Sequence, residues 1–125
     1  MSSRYLEILR DHVLFFDGGM GTQVQSRELT AEDYGGKRWD GCIDYLSLTR
    51  SDVVESIHTA YFEAGADVVE TNSFQASRTR LEEWGLGERT VEQNRAAAAA
   101  ARRVADRFVA AHGRPRFVSG SMGPS

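Results

Sequence analysis

The stretch SDVVESIHTAYFEAGADVVETNS, residues 51–73, decides the fold that we predict. Apolar residues recur at helical spacing over 53–64 and form one stripe, which is typical of an amphipathic helix. The members of the stripe are Val53, Val54, Ile57, Ala60, Tyr61 and Ala64. Gly65 follows as a C-terminal stop, and the valine pair at 68–69 then predicts a buried strand. A helix that leads directly into a buried strand indicates an α/β fold.

Two helix starts carry the signature of a capping box. Thr49 is followed three residues later by Asp52, and Thr90 is followed three residues later by Gln93. Ser51 is a second N-cap candidate for the first of these helices. These signals predict that both threonines lie at helix starts.

The rest of the chain repeats the unit of helix and strand. A long helix is expected over 91–111, a first strand at 13–16, a third strand at the start of 116–125, and a short helix at 4–10. The predicted stripe of the long helix comprises Val91, Ala98, Ala101, Ala105, Phe108 and His112. This alternation predicts a parallel sheet with right-handed crossovers. Because a closed (β/α)₈ barrel takes about 250 residues, the pattern indicates either a small open α/β domain or the first part of a barrel.

Length, charge and cysteine content limit the function classes. The 125 residues correspond to about one domain, and the net charge of −3 without a basic block argues against nucleic-acid or anionic-membrane binding. No stretch approaches the roughly 18 apolar residues of a membrane span, and charges within the first ten residues exclude a signal peptide. The single cysteine, Cys42, permits no internal disulfide, which favours a reducing cytoplasm.

Polar or small residues follow all three predicted strands, at 17–19, 70–73 and 119–123. In parallel α/β proteins the carboxyl ends of the strands meet at one edge, where ligands bind. We therefore expect these clusters to face one another across one site. The candidate binding residues are Asp17, Gly18, Gly19, Glu70, Thr71 and Asn72.

The glycine-rich turn after the first strand does not match a known phosphate motif. A P-loop requires a lysine, and none stands near Thr22; a dinucleotide fingerprint requires a glycine where Val24 stands. What remains is a carboxylate beside free backbone amides, which suits a zwitterion: Asp17 for an ammonium and the 18–19 amides for a carboxylate. The alternative is that Asp17 caps the turn and the glycines serve its geometry alone.

Other candidates have structural alternatives. Glu70 would equally pair with an arginine, and Asn72 or Ser73 would cap the helix that follows. One cysteine cannot form a zinc site, and the three histidines show no H-x-x-x-H spacing. We therefore predict no metal site within the chain and interpret Cys42 as a buried, inert thiol.

Five motifs occur in the order and at the spacing of a known family. They are FFDGGMGTQVQ (15–25), GCIDYLSLT (41–49), HTAYFEAGADVVETNSFQAS (58–77), EQNRAAAAAAR (92–102) and SGSMGPS (119–125). Together they resemble the homocysteine S-methyltransferase family, and within it the N-terminal homocysteine-binding modules of cobalamin-dependent methionine synthases. The resemblance covers about residues 13–125.

The resemblance implies a (β/α)₈ barrel that binds L-homocysteine. It implies that Asp17 and the amides near Gly18 and Gly19 hold the amino-acid end, and that Glu70-Thr71-Asn72 lines the same pocket. In the family, the substrate sulfur binds a zinc ion held by three cysteines, and the resulting thiolate attacks a methyl group to give methionine. In cobalamin-dependent members, methylcobalamin is the donor, and other modules of a longer chain recharge it from methyltetrahydrofolate.

The sequence departs from the family pattern in its metal ligands. The family's zinc cysteines lie in the second half of the barrel, and Cys42 does not match one of them. We therefore expect residues 1–125 to form a partial domain of about three βα units, truncated after the third strand. Its catalytic and metal-binding residues would lie elsewhere, so that the chain alone would not transfer a methyl group.

Two alternatives stay open. One is a relative that uses betaine or S-methylmethionine as the methyl donor, because the strand-end motifs do not distinguish donors. The other is a non-catalytic binding or assembly module, because three strands leave at least one exposed sheet edge as a template for pairing.

Overall fold

The computed structural model describes residues 3–124, so that Ser125, the last residue of the closing motif, lies outside the described part. The α-helices are α1 (Arg4–Leu9), α2 (Gly21–Gln25), α3 (Leu46–Thr49), α4 (Ser51–Glu63), α5 (Arg78–Glu82) and α6 (Thr90–His112). Short 3₁₀ helices span Ala31–Tyr34, Lys37–Trp39, Ile43–Tyr45 and Gly87–Arg89. The strands are β1 (Val68–Glu70) and β2 (Phe117–Ser119).

The two strands form a parallel sheet, as the alternation of helix and strand predicts. Val68 pairs with Phe117 and Glu70 with Ser119, and the chain between the strands contains α5 and α6. Parallel strands require such a long crossover because the end of one strand and the start of the next lie at opposite edges of the sheet. The α/β class with parallel strands is therefore confirmed.

The predicted first strand at 13–16 is wrong as a full strand. Only Phe16 pairs with β1, through a single parallel bridge to Val68. Beyond it, the Glu70 amide donates to the Asp17 carboxylate at 3.0 Å, in place of a backbone carbonyl that would continue a ladder. The segment still lies beside β1, so the spatial order is residues 13–16, β1 and β2.

Helices α4 and α6 cover the sheet, and each buries only part of its predicted stripe. The members buried as predicted are Val53, Val54 and Ile57 of α4 and Ala101 and Ala105 of α6. In α4 the buried residues include His58 and Phe62, whereas Ala60 and Ala64 are exposed. In α6 Val91 is 67% exposed. The buried side chains of α6 are Gln93, Ala97, Ala100, Ala101, Val104 and Ala105. The small alanine face allows α6 to pack closely on its neighbours, since the contacts lie near the backbone.

Neither predicted capping box forms. Arg50 is the N-cap of α4, and its guanidinium pairs with Asp52 at 2.8 Å. Thr49 ends α3 instead, and its hydroxyl donates to the Tyr45 carbonyl. The Thr90 hydroxyl donates to the carbonyl of Gly87, in the 3₁₀ helix that precedes α6. Both threonine hydroxyls therefore bond to a carbonyl of the preceding turn. The capping-box spacing does not take such a bond into account.

Glycines with left-handed backbone conformation follow three helices, as predicted for Gly65. Gly65, Gly85 and Gly113 all have positive φ angles, of 111°, 71° and 71°, and glycine adopts this region without steric cost. Among the helices of residues 3–124, none has the length and apolar character that crossing a membrane requires.

Candidate functional site

All six predicted binding residues line one pocket of about 430 Å³ at the carboxyl ends of the strands. The first strand segment supplies Asp17, Gly18 and Gly19, and β1 with its loop supplies Glu70, Thr71 and Asn72. The rest of the lining comprises Met20, Ser73, Phe74 and Ser121. The three strand-end clusters therefore converge as predicted, whereas a binding role for any of their residues stays a prediction.

Asp17 lies at the centre of this convergence. Its Oδ2 accepts a hydrogen bond from the Glu70 amide, and its Oδ1 is enclosed and has no partner within residues 3–124. Burial raises the pKa of Asp17 to about 6, and the nearby Glu70 carboxylate contributes in the same direction. The carboxylate therefore carries a charge that no cation of the described chain neutralises. It does not cap the glycine turn, which was the alternative interpretation.

The glycine turn at 18–20 holds backbone donors without acceptors. The amides of Gly18, Gly19 and Met20 donate no hydrogen bond to any residue of the described range. Neither Gly18 nor Gly19 has a positive φ, so backbone conformation does not explain these glycines. Gly18 instead allows close packing, because a Cβ there would lie 3.0 Å from the Tyr61 hydroxyl. The turn therefore combines close packing behind it with unpaired donors.

Thr71 locks the loop after β1 to the loop after β2. Its hydroxyl accepts from the Ser121 amide at 2.9 Å and lies 2.6 Å from the Ser73 hydroxyl. Ser73 in turn donates to the Ser121 carbonyl at 2.8 Å, so the proton between the two hydroxyls comes from Thr71. The buried Thr71 hydroxyl is thus committed to the protein, and it shapes the pocket wall.

Asn72 does not cap a helix and Glu70 does not pair with an arginine, which were their alternative interpretations. The Asn72 Nδ2 donates to the Ile43 carbonyl at 2.9 Å and to the Ser47 hydroxyl at 3.2 Å. Ser77, not Asn72 or Ser73, caps α5. Glu70 is exposed at the pocket and forms no ion pair with any arginine in residues 3–124. Glu70 therefore adds a second negative charge beside Asp17.

A second pocket of about 410 Å³ adjoins the first and shares Met20, Asn72 and Phe74 with it. Asp44 lines this second pocket; it is buried, accepts from the Gln75 amide at 2.9 Å, and has a pKa raised by that burial. The strand-end argument missed Asp44 because it lies in the 3₁₀ helix Ile43–Tyr45 and does not follow a strand. Its only signal in the sequence is its place within the motif GCIDYLSLT.

The described residues do not offer the ligands of a metal ion. No group of three histidine, cysteine or carboxylate side chains within residues 3–124 is arranged to hold one. Cys42 is buried, and burial raises the pKa of its thiol to about 11, which suppresses the reactive thiolate. His58 is fully buried without a partner for either ring nitrogen. The donor set that zinc requires is therefore not met here.

Known sequences match nearly the whole chain. The family model for homocysteine S-methyltransferase matches residues 14–125. The methionine synthases of Mycobacterium tuberculosis and Mycobacterium leprae are each 44% identical to the chain over 119 residues. That alignment covers 95% of this chain but only 10% of either enzyme, so the chain spans about a tenth of the length of these relatives.

Solved structures share the fold. The metallated form of the homocysteine methyltransferase MmuM from Escherichia coli superposes with a TM-score of 0.75 at 24% identity. Its oxidized form superposes with a TM-score of 0.79 at 23% identity. The matches cover 97% and 98% of this chain and 41% of either crystal structure. At this identity the likeness concerns the backbone fold alone.

Proposed function

Because the chain belongs to the homocysteine S-methyltransferase family, we propose that it holds the amino-acid end of L-homocysteine in a homocysteine methyltransferase. The observation that carries this proposal is the unpartnered Oδ1 of Asp17 beside three backbone amides without acceptors. An L-amino acid carries one ammonium and one carboxylate, so it supplies both missing partners through charge-assisted hydrogen bonds.

The proposed orientation follows from the charges on the pocket wall. The ammonium lies at Asp17, where Glu70 adds negative potential, and the carboxylate lies at the amides of Gly18, Gly19 and Met20. Asn72 has its Nδ2 committed to the protein, which leaves its oxygen to accept from the ammonium. Thr71 contributes through shape, since its hydroxyl is engaged.

We further propose that residues 1–125 form about three βα units of a (β/α)₈ barrel, as one partial domain. Two observations support this context: the match to 41% of the MmuM structures, and the apolar side chains of the first segment. Val13, Phe15 and Phe16 are 75%, 63% and 47% exposed. Such a cluster is costly in water, and the remaining strands and helices of a barrel would cover it.

Methyl transfer to the homocysteine thiolate, which gives methionine, is the activity proposed for the whole protein. The described residues lack a zinc donor set, so we assign the zinc ligands and any cobalamin or folate modules to segments beyond those described. Betaine or S-methylmethionine as donor stays an alternative, since no residue of the pocket specifies the donor. A cytoplasmic location, which the single unpaired cysteine favours, completes the proposal.

Asp17→Asn tests the proposal by calorimetric titration of the purified protein with two ligands. L-Homocysteine binding is expected to weaken about 10- to 100-fold, because a hydrogen bond to a charged group contributes roughly 1.5–3 kcal/mol. Binding of 4-mercaptobutanoate, which is homocysteine without its ammonium, is expected not to weaken, because this ligand has no ammonium for Asp17 to bind. Asp106→Asn is the matched control, since that carboxylate lies on the exposed face of α6 and pairs with Arg102. Equal homocysteine affinities of Asp17→Asn and wild type would refute the proposal.

A further inference from the structure

We propose that Tyr61 is a positioning residue for the carboxylate-binding amides, an inference that rests on the function proposed above. Tyr61 lies in α4, behind the glycine turn, and its hydroxyl donates to the Gly19 carbonyl at 2.7 Å. The sequence pattern assigns Tyr61 only to the apolar stripe of that helix. The hydrogen bond gives it a second connection, to the turn that lines the pocket.

The glycine turn separates Tyr61 from the proposed homocysteine pocket. Asp17 and Gly18 line a depression of about 510 Å³ together with Tyr61, and they also line the homocysteine pocket, whose wall does not include Tyr61. Gly19 and Met20 line the homocysteine pocket but not the depression. Tyr61 therefore contacts the turn from the side opposite to the ligand.

Because the peptide bond is planar, the hydrogen bond from Tyr61 to the Gly19 carbonyl also orients the amide of Met20. Gly19 and Met20 share a trans peptide, in which the C=O and the N–H point in opposite directions. The Tyr61 hydroxyl fixes the Gly19 carbonyl on its own side, so the Met20 N–H is turned to the other side, where the pocket lies. This amide has no acceptor within residues 3–124, as expected of a donor kept for a ligand.

Packing of the ring fixes the preceding peptide as well. A Cβ at Gly18 would lie 3.0 Å from the Tyr61 hydroxyl oxygen and 3.3 Å from ring carbon Cε1, so the backbone of Gly18 rests on the ring. The turn is thus held by one hydrogen bond and one close packing contact from the same side chain. Donors fixed before the ligand arrives bind it at a lower entropic cost.

Tyr61→Phe separates the two contacts, because it keeps the ring and removes the hydroxyl. The test compares L-homocysteine with 3-aminopropanethiol, which is homocysteine without its carboxylate, by calorimetric titration of the purified protein. L-Homocysteine affinity is expected to fall about fivefold to tenfold, the size of one net hydrogen bond, while 3-aminopropanethiol affinity is unchanged. A residue with only a structural role would weaken both ligands together.

Tyr45→Phe is the matched control, since it also removes a hydroxyl that forms one hydrogen bond, accepted from Arg89 at 2.7 Å and away from the turn. Gly18→Ala provides a second variant, because its Cβ pushes the same turn away from Tyr61. It is expected to show the same carboxylate-selective loss, and circular dichroism verifies the fold of each variant.

The outcomes distinguish the positioning role of Tyr61 from the proposed function. Homocysteine binding by wild type that Tyr61→Phe leaves unchanged, or an equal loss for both ligands, overturns the positioning role and leaves the proposed function intact. Wild-type protein that does not bind homocysteine overturns the proposed function and this inference with it. A carboxylate-selective loss in Tyr61→Phe, absent from Tyr45→Phe, supports both.

Discussion

The raised pKa of Asp17 makes the affinity for homocysteine depend on pH. Burial and the neighbouring Glu70 raise this pKa to about 6, so the free protein keeps a proton on Asp17 to higher pH than an ordinary aspartate. Only the ionised carboxylate attracts the ligand ammonium. Affinity is therefore expected to be full above about pH 7 and to fall as the pH drops through the pKa.

The magnitude follows from the ionised fraction. With a pKa of about 6, roughly 90% of Asp17 is ionised at pH 7 and roughly 10% at pH 5, and apparent affinity scales with the competent fraction. The Kd for L-homocysteine is therefore expected to rise about tenfold from pH 7 to pH 5. The ligand's own ammonium and carboxylate keep their charges over this interval, so the change reports on the protein.

Calorimetric titration in buffers of different ionisation enthalpy measures both the Kd and the protons released. At pH 5.5 binding is expected to release most of one proton, because the bound ammonium expels it from Asp17. Asp17→Asn is expected to bind weakly, with no proton release and no pH dependence over this interval. A wild-type Kd that is constant between pH 5 and pH 7, or the same slope in the variant, would refute the reasoning.

Two further predictions concern stability. Burial without partners lowers the pKa of His58 to about 4, below the 6.5 of an unfolded chain, so the unfolded state binds more protons. The free energy of unfolding should therefore fall by up to about 3 kcal/mol from pH 6.5 to pH 4. Urea unfolding that is equally pH-dependent in His58→Leu would contradict this. A Cβ at Gly123 would lie 2.4 Å from the Phe74 carbonyl oxygen, whereas a Cβ at Gly120 would meet open space. Gly123→Ala is therefore expected to destabilise the folded protein by about 1–3 kcal/mol, and Gly120→Ala hardly at all. Equal melting temperatures of the two variants would contradict the contact.

Those features of the fold that depend on hydrophobic periodicity could be predicted from the sequence. The valine pair of β1 and the stop at Gly65 come directly from pattern and backbone chemistry. The buried face of α6 was predicted only at Ala101 and Ala105, because six successive alanines carry no periodicity and any of several faces would fit a sheet. Tertiary packing selected the face that includes Gln93 and left Val91 in solvent.

Local competition explains the errors at helix starts and at the first strand. The hydroxyls of Thr49 and Thr90 bond to carbonyls of preceding turns, an alternative that a capping rule does not weigh. The side chain of Asp17 replaces a ladder acceptor, so the pairing with β1 does not extend beyond the single bridge at Phe16. Sequence spacing shows which residue types follow a strand, but it does not show which oxygen accepts the hydrogen bond of a given backbone amide.

The convergence of the strand ends on one site was predictable from the sequence. The hydrogen-bond partners of the residues in that site were not. Parallel topology alone brings Asp17 and Glu70 to one edge, because the carboxyl ends of parallel strands coincide. Spacing did not reveal that Thr71 is committed to Ser73 and Ser121, nor that Tyr61 supports the turn from behind. Both depend on contacts between segments that are distant in sequence.

A crystal structure of the protein with bound L-homocysteine tests the central claim most directly. The ligand ammonium is expected within hydrogen-bonding distance of the Asp17 carboxylate, and the ligand carboxylate on the amides of Gly18, Gly19 and Met20. A ligand bound elsewhere, or one that leaves the Asp17 carboxylate and these amides without new partners, would contradict the account.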